Sequence, residues 1–368
     1  MPLAERLGGS ETLLLDLLRS NRSSGIDWVV VFLQDGPMVT EVNDLGFPAY
    51  VVDAGRLRQP IRIVRAALAI RRIVANEHVD AVLGWMAKAH IFNWLATSGT
   101  SKPLIWYRHE IPHRDAITVL TALMPATMIL ACSHAAAISQ ARWTRQTPIL
   151  VVYPGVDTHR FFRCQLGTRE EILGEIGLPP DVRTVGLVGR LQVWKGAHIL
   201  LSAVALMSLR HPNLHCLIVG GRHALEPAYE TYLRKRAAEL GILDKVHILG
   251  FQRDVRRSLA AMDVVVNAST AEPFGIGVVE AMAMGKFVVA VNSGGPSEII
   301  QHGISGLLID SAEPTALAAA VRSGLEDTEL CRTIENAACE RAKNFSIERF
   351  VSQLAATIRN AIPHSAEL

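Results

Sequence analysis

The sequence lacks most of the features that mark specialised chains. No apolar run among its 368 residues is long enough to span a bilayer, and the first residues lack a basic, apolar, small-residue signal pattern. Its five cysteines, Cys132, Cys164, Cys216, Cys331 and Cys339, are odd in number and scattered, with no Cys-x-x-Cys pair. That argues against a disulfide framework or a zinc site and for a reducing, cytoplasmic compartment. A formal net charge of +2 is too small for a general nucleic-acid binder, so no nucleic-acid partner is expected. No repeat or low-complexity tract interrupts the chain. No complete Gly-x-Gly-x-x-Gly opens a helix after a strand, which counts against a NAD-dependent oxidoreductase.

What is present is ordinary globular material. With 49% hydrophobic and 20% charged residues the chain can bury a large core, and its length suits two domains. Strand-like apolar runs alternate with helical patterns through both halves. This predicts an α/β chain of two doubly wound domains.

The most informative stretch is 267–298. An apolar run at 263–266 reads as a buried parallel strand, followed by a loop with Glu272, Pro273, Phe274 and Gly275. Apolar residues at helical spacing fill 278–284, a second strand covers 287–291, and Gly294-Gly295-Pro296 opens another helix. Loops that leave the carboxyl ends of parallel strands line the ligand crevice, so Glu272 and the nearby Glu280 can face one cleft. Glu280 sits among Val278, Val279, Ala281 and Met282, where a charge needs a partner or a cavity. The Gly-Ile-Gly helix entry leaves backbone N–H groups bare for a phosphate. Carboxylates suit hydroxyls rather than phosphates, and a sugar nucleotide offers both chemistries.

Glu272-Pro273-Phe274-Gly275, with Glu280 eight positions on and Ser-Gly-Gly-Pro-Ser-Glu after it, resembles the two-glutamate signature of retaining GT-B glycosyltransferases of family 4. The resemblance extends over nearly the whole chain. In the second half, Gly189-Arg190 and Lys195-Gly196 follow a strand and put two cations at a helix entry, a good diphosphate site. They resemble the family's donor-phosphate loop. Gly250 and Phe251 match its nucleobase-edge region.

In the first half, Gly8-Gly9 leads into a helix and resembles the family's Gly-Gly loop. That loop usually follows a first strand, for which residues 1–7 leave no room. His109, at the carboxyl end of the strand 103–107, takes the place of the family's functional histidine, with Glu110 where aspartate is usual. Arg56, Arg58, Arg62, Arg65, Arg71 and Arg72 punctuate a helical stretch free of acids, with Ile61, Val64, Leu68 and Ile73 roughly opposite. The preferred reading is a solvated amphipathic helix packed on a sheet. The second is peripheral contact of 56–72 with an anionic membrane on its cytoplasmic face.

The resemblance implies residues 1–166 as the acceptor-side domain, 167–344 as the donor domain, and 345–368 as a helix returning to the first. It also implies retaining transfer of a sugar from a UDP-, GDP- or ADP-linked donor to a saccharide or lipid-linked acceptor, in bacterial envelope polysaccharide or glycolipid assembly, without metal or cofactor. Arg190 and Lys195 would stabilise the leaving diphosphate, Glu280 would hold the ribose, and Glu272 the donor sugar. Backbone amides from Phe274 through Gly275 and Ile276 to Gly277 would help, and His109 would lie near the sugar. The alternatives are an epimerase-like or phosphorylase-like enzyme, or a binding protein without turnover.

Overall fold

The computed structural model describes residues 1–363 except 6, 7, 22, 23, 113, 145 and 162–165, so Cys164 lies outside the described residues. Two compact units result: Met1–Gly155 with Ile347–Leu368, and Val156–Ser346. The first division therefore falls ahead of the expected boundary at Gly167. The connecting residues are tied to the second unit through Arg256, which donates to the Arg160 carbonyl, and Arg257, which donates to that of Leu166.

The first unit begins with α1 (Gly9–Arg19), β1 (Val30–Phe32), α2 (Pro37–Asp44), β2 (Ala49–Val51) and α3 (Pro60–Asn76). It continues through β3 (Val82–Trp85), α4 (Met86–Thr97), β4 (Leu104–Arg108), α5 (Ala116–Ala122), β5 (Met128–Ala131), α6 (His134–Ala141) and β6 (Ile149–Val151). Its strands form a parallel β1-β2 pair and a parallel β3-β4-β5-β6 sheet. Residues 1–5 carry no strand, yet the Met1 amino group donates to the Val31 carbonyl, and the Met1 carbonyl accepts from Leu33 N–H.

Helix α3 corrects the expected orientation. Its inner face is Ala66, Ala67 and Ile70, and Ala66 and Ile70 join Phe92 and Ala96 of α4 in one apolar cluster. Ile61, Val64 and Leu68 point outward. The small alanines let the helix approach closely, so the larger aliphatics are not needed inside.

The second unit holds α7 (Arg169–Glu175), β7 (Arg183–Val188), α8 (Ala197–Met207), β8 (Leu214–Val219), α9 (Tyr229–Glu239), β9 (Val246–Gly250), α10 (Arg256–Ala261) and β10 (Val264–Asn267). Then come α11 (Ile276–Ala283), β11 (Phe287–Val291), α12 (Pro296–Ile299), β12 (Leu307–Ile309), α13 (Pro314–Glu326) and α14 (Thr328–Ala342). Its parallel sheet has the order β12-β11-β10-β7-β8-β9, the doubly wound arrangement whose direction reverses between β7 and β10. One face of the sheet packs on α8 and α13 through Val185, Val264, Val289, Leu200, Val204 and Val321.

The last helix, α15 (Ile347–Ala361), belongs to the first unit. It buries Ile347, Phe350, Val351, Leu354 and Ile358, worth on the order of 10 kcal/mol in gross burial. Phe350 stacks on Tyr107, and Gln353 donates to the Val151 carbonyl.

Candidate functional site

In the second unit, the loops leaving β7 and β10 emerge side by side at the sheet's reversal. Lys195 lies in a 3-10 turn after β7, and Glu272 in the loop after β10. Lys195 Nζ donates to Glu272 Oε2 at 2.6 Å, across 77 residues of sequence. Ser269 Oγ at 2.9 Å and Asn267 Nδ2 at 3.3 Å donate to the same oxygen, so Oε1 lies outside this set. Glu272 is buried. Burial pushes its pKa up, but the Lys195 charge and the three donors outweigh that and hold the carboxyl below its ordinary value. Lys195 also rests over the Trp194 ring at 4.1 Å, and the Trp194 carbonyl accepts from Thr270 N–H.

Glycines let these loops approach one another. Gly196 has φ +76°, and a Cβ there would sit 2.3 Å from the Ala268 carbonyl oxygen. Gly294 has φ +67°, and its Cβ would sit 2.1 Å from the carbonyl oxygen of Glu272. The expected helix entry at Gly294-Gly295-Pro296 thus also clamps the Glu272 loop, with Gly295 N–H donating to the Glu272 carbonyl. The Gly275 carbonyl accepts from Val278 and Val279. The first-turn amides of Ile276 and Gly277 are the kind a helix cannot satisfy by itself. Glu280 is half-buried on α11 beyond Phe274 and Gly275, both buried. Arg190 is exposed directly after Gly189, and Phe251 is 56% exposed just past β9.

In the first unit, Gly8 caps α1 and Gly9 begins it. The next residue, Ser10, accepts from Trp85 Nε1 through its carbonyl at 3.1 Å. Trp85 and Tyr107 flank the His109 ring, with centroids 4.7 and 4.1 Å away. His109 Nε2 is buried without a hydrogen-bond partner, and burial lowers the ring's pKa to about 3, so it is neutral at physiological pH. Trp85 thus links Ser10, next after the Gly8-Gly9 helix entry, to His109. The structure separately joins Lys195, Glu272, Gly275 and the Gly294 turn.

Sequence reasoning missed two residues here. Arg108 is 2% exposed and donates to Gln140 Oε1 on α6, Thr118 Oγ1 on α5 and the Glu110 carbonyl, anchoring the backbone on both sides of His109. An arginine ending a strand run gave a detectable signal. Met86, at the start of α4, has φ +74°, which nothing in its sequence neighbourhood announced. The exposed face of α5 is apolar, with Ile117, Val119 and Leu120, and Leu123 follows at 75% exposure.

Comparison with known proteins places these units. The family described as Glycosyl transferases group 1 matches residues 168–341, and Glycosyltransferase Family 4 matches residues 7–160. The D-inositol 3-phosphate glycosyltransferase of Corynebacterium glutamicum is 34% identical over 218 residues, 58% of this chain and 52% of that protein. That of Mycobacterium ulcerans is 35% identical over 216 residues, 58% of this chain and 45% of its own length. The chain spans about half the length of these curated relatives. The crystal structure of Anabaena HepE in complex with UDP and glucose superposes with TM-score 0.87 at 26% identity, covering 98% of both chains. The sucrose-phosphate synthase of Thermosynechococcus elongatus shares the fold, with TM-score 0.83 at 20% identity over 96% of this chain and 93% of its own.

Proposed function

Because the chain belongs to the glycosyltransferases of GT-B fold and family-4 type, we propose that it transfers a sugar from a nucleoside-diphosphate donor, with retention and without a metal. The observation that carries this reading is the order of groups along the sheet edge. Phe251 follows β9, Arg190 and Lys195 follow β7, and Glu272 follows β10, in the order β9-β8-β7-β10. At sheet spacing, β9 and β7 lie about 10 Å apart and β10 about 5 Å further. That succession suits a base, a diphosphate and a sugar. Uridine is the expected base, since HepE was crystallised with UDP.

Arg190, Lys195 and the amides of Ile276 and Gly277 receive the charge that develops as the diphosphate leaves. Lys195 needs no new position for this, since Glu272 already holds it in place. Glu272 Oε1 takes a hydroxyl of the donor sugar, and Glu280 takes the ribose. His109, neutral in its aromatic slot, is the first unit's polar group toward the acceptor. The acceptor hydroxyl attacks on the face the diphosphate vacates.

The first unit holds the acceptor. The relatives named for inositol phosphate point to a polyol phosphate, whereas the exposed aliphatics of α5 just beyond His109 favour a lipid-linked saccharide. The second is the reading we adopt, with envelope polysaccharide or glycolipid assembly as its setting and peripheral contact with the inner membrane face. Among the described residues no helix is long and apolar enough to cross a membrane.

Calorimetric titration with UDP, GDP and ADP, with chelator present, tests the donor site. Micromolar binding of UDP that is lost in Arg190→Ala and weakened in Glu280→Ala is the expected result. No binding of any of the three overturns the donor assignment. Sugar release without an acceptor marks an epimerase-like or hydrolytic enzyme instead.

A further inference from the structure

The turn that carries Lys195 is too short to hold itself. Val193–Lys195 is a single 3-10 turn, and the first N–H groups of such a turn have no partner inside it. Gln192 stands in the capping position without a side-chain bond to the turn. Packing does little to compensate on the outer side. Val193 is 54% exposed, and beside it lies an open cavity of about 420 Å³, shared with His198 on α8 and with Leu225, Tyr229 and Tyr232 around the start of α9.

The missing cap comes from the loop between β8 and α9. Glu226 Oε2 accepts from Val193 N–H at 2.7 Å, and Glu226 Oε1 lies 3.5 Å from Gln192 Nε2, at the limit of a hydrogen bond. One carboxylate thus grips the two residues from which the turn starts, and the Gln192 carbonyl accepts in turn from Lys195 N–H at 3.0 Å. Glu226 is launched from a fixed backbone: its N–H donates to the His223 carbonyl, and its own carbonyl accepts from Tyr229 N–H. Backbone pairing of β7 with the β8 side ends where Leu191 N–H donates to the Gly221 carbonyl, and Glu226 carries the attachment two residues further. From the β10 side, Thr270 and Glu272 hold Trp194 and Lys195. The turn is therefore stretched between two loops.

We propose that Glu226 is a positioning residue for sugar transfer, which caps the Lys195 turn from outside and so sets where the ammonium meets the donor diphosphate. This rests on the donor reading above, in which Lys195 receives the charge of the leaving group. A carboxylate is a stronger acceptor than a neutral oxygen, which suits a turn with little packing behind it. Stabilisation of a developing charge depends on exact placement, so a turn released on one side costs binding and rate without any loss of fold. The effect of Glu226 passes through Lys195.

Calorimetric titration of UDP and UMP into the parent protein, Glu226→Ala, Glu226→Gln, Lys195→Met and the double variant Lys195→Met/Glu226→Ala tests the assignment. Glu226→Ala should weaken UDP about tenfold. UMP lacks the terminal phosphate, so its affinity should stay within about twofold, whereas a general loss of structure would weaken both nucleotides. Glu226→Gln keeps an oxygen for Val193 N–H and drops the charge, so it should bind UDP within about threefold of the parent. Once Lys195 is methionine, Glu226→Ala should cost no more than about twofold, because the group it places has gone. Four results overturn the role of Glu226 and leave the donor site standing: Glu226→Ala binding UDP like the parent, Glu226→Gln as weak as Glu226→Ala, equal losses for UDP and UMP, or a full loss that persists without Lys195. Lys195→Met binding UDP like the parent would instead remove the donor role of Lys195, and that of Glu226 with it.

Discussion

The two units use a doubly wound architecture in opposite ways. In the second, six parallel strands form one continuous sheet, and the loops at its reversal lock onto each other through Gly196, Gly294 and the buried Lys195–Glu272 pair. In the first, the strands divide into a pair and a four-stranded sheet, and the functional end carries an unpaired histidine nitrogen, a strained methionine and exposed aliphatic helices. A nucleotide sugar has one shape, and a rigid cradle pre-organised for it costs nothing at the moment of reaction. If the first unit takes the acceptor, as proposed, its spare hydrogen-bonding capacity and apolar area suit a less uniform ligand. The comparison suggests that substitutions in the second unit act as switches and those in the first as adjustments.

Two glycines with similar backbones provide the largest contrast. Gly294 and Gly46 have φ of +67° and +87°, but a Cβ at Gly46 meets nothing within 4 Å, whereas at Gly294 it overlaps the Glu272 carbonyl. Gly46→Ala should lose roughly 1 kcal/mol in urea denaturation, the cost of the left-handed conformation alone. Gly294→Ala should lose roughly 3 kcal/mol or more, or leave a folded protein with turnover down at least about 100-fold. Equal effects at the two sites would mean that the clamp is not rigid.

The Lys195–Glu272 pair gives the next effect. Glu272→Gln keeps the shape but leaves Lys195 charged in a partly buried site, so stability should fall by roughly 3 kcal/mol and turnover by about 100-fold. Adding Lys195→Met should recover much of the stability and none of the turnover. If turnover returns with stability, the pair is structural and the donor sugar is held elsewhere.

In the first unit the expected effect is smaller and appears in pH dependence. His109 titrates near 3 when folded against 6.5 when unfolded, and His90 near 4, each because burial disfavours the cation. Between these values the unfolded chain binds protons that the folded chain refuses. The stability they contribute is therefore present above about pH 6.5 and is lost as pH falls. Each histidine adds at most about 1.4 kcal/mol per pH unit to that slope. His109→Phe should lower the slope by up to about 1.4 kcal/mol per pH unit between pH 6 and 5 in denaturant titrations. An unchanged slope would show that the ring is open to water.

Much of this contrast could be read from the chain, because the second unit's restraints are local. Buried parallel strands announce themselves as apolar runs, and the glycines and charges of the Gly189–Gly196 and Glu272–Glu280 stretches stand at fixed offsets from those strands. The partnership of Lys195 with Glu272 was not visible, since 77 residues separate them and only the sheet order brings them together. Helix α3 misled for a different reason. Alanines carry little hydrophobic weight in a pattern, so Ile61, Val64 and Leu68 seemed to define the inner face, although the close-packing Ala66, Ala67 and Ile70 do so. In the first unit, α5 is short and outwardly apolar, so its pattern resembles a buried segment more than an amphipathic helix.

The smallest effect is the most specific. Met86 begins α4 at φ +74°, a conformation that costs a side-chain-bearing residue roughly 1–2 kcal/mol, and it follows Trp85, whose indole holds Ser10 on one side and His109 on the other. At an ordinary helix position, glycine is about 1 kcal/mol less stable than alanine. At this one the order should reverse, with Met86→Gly more stable than Met86→Ala by about 1 kcal/mol, because both lose the same contacts but only glycine escapes the strain. If the strain serves to aim Trp85, then Met86→Gly should also raise the KM for the acceptor more than it changes kcat, while donor binding by calorimetry stays fixed. A gain in stability with no change in KM would leave the strain a by-product of the β3–α4 turn. The placing of His109 in the first unit would then rest on Arg108 and the aromatic slot alone.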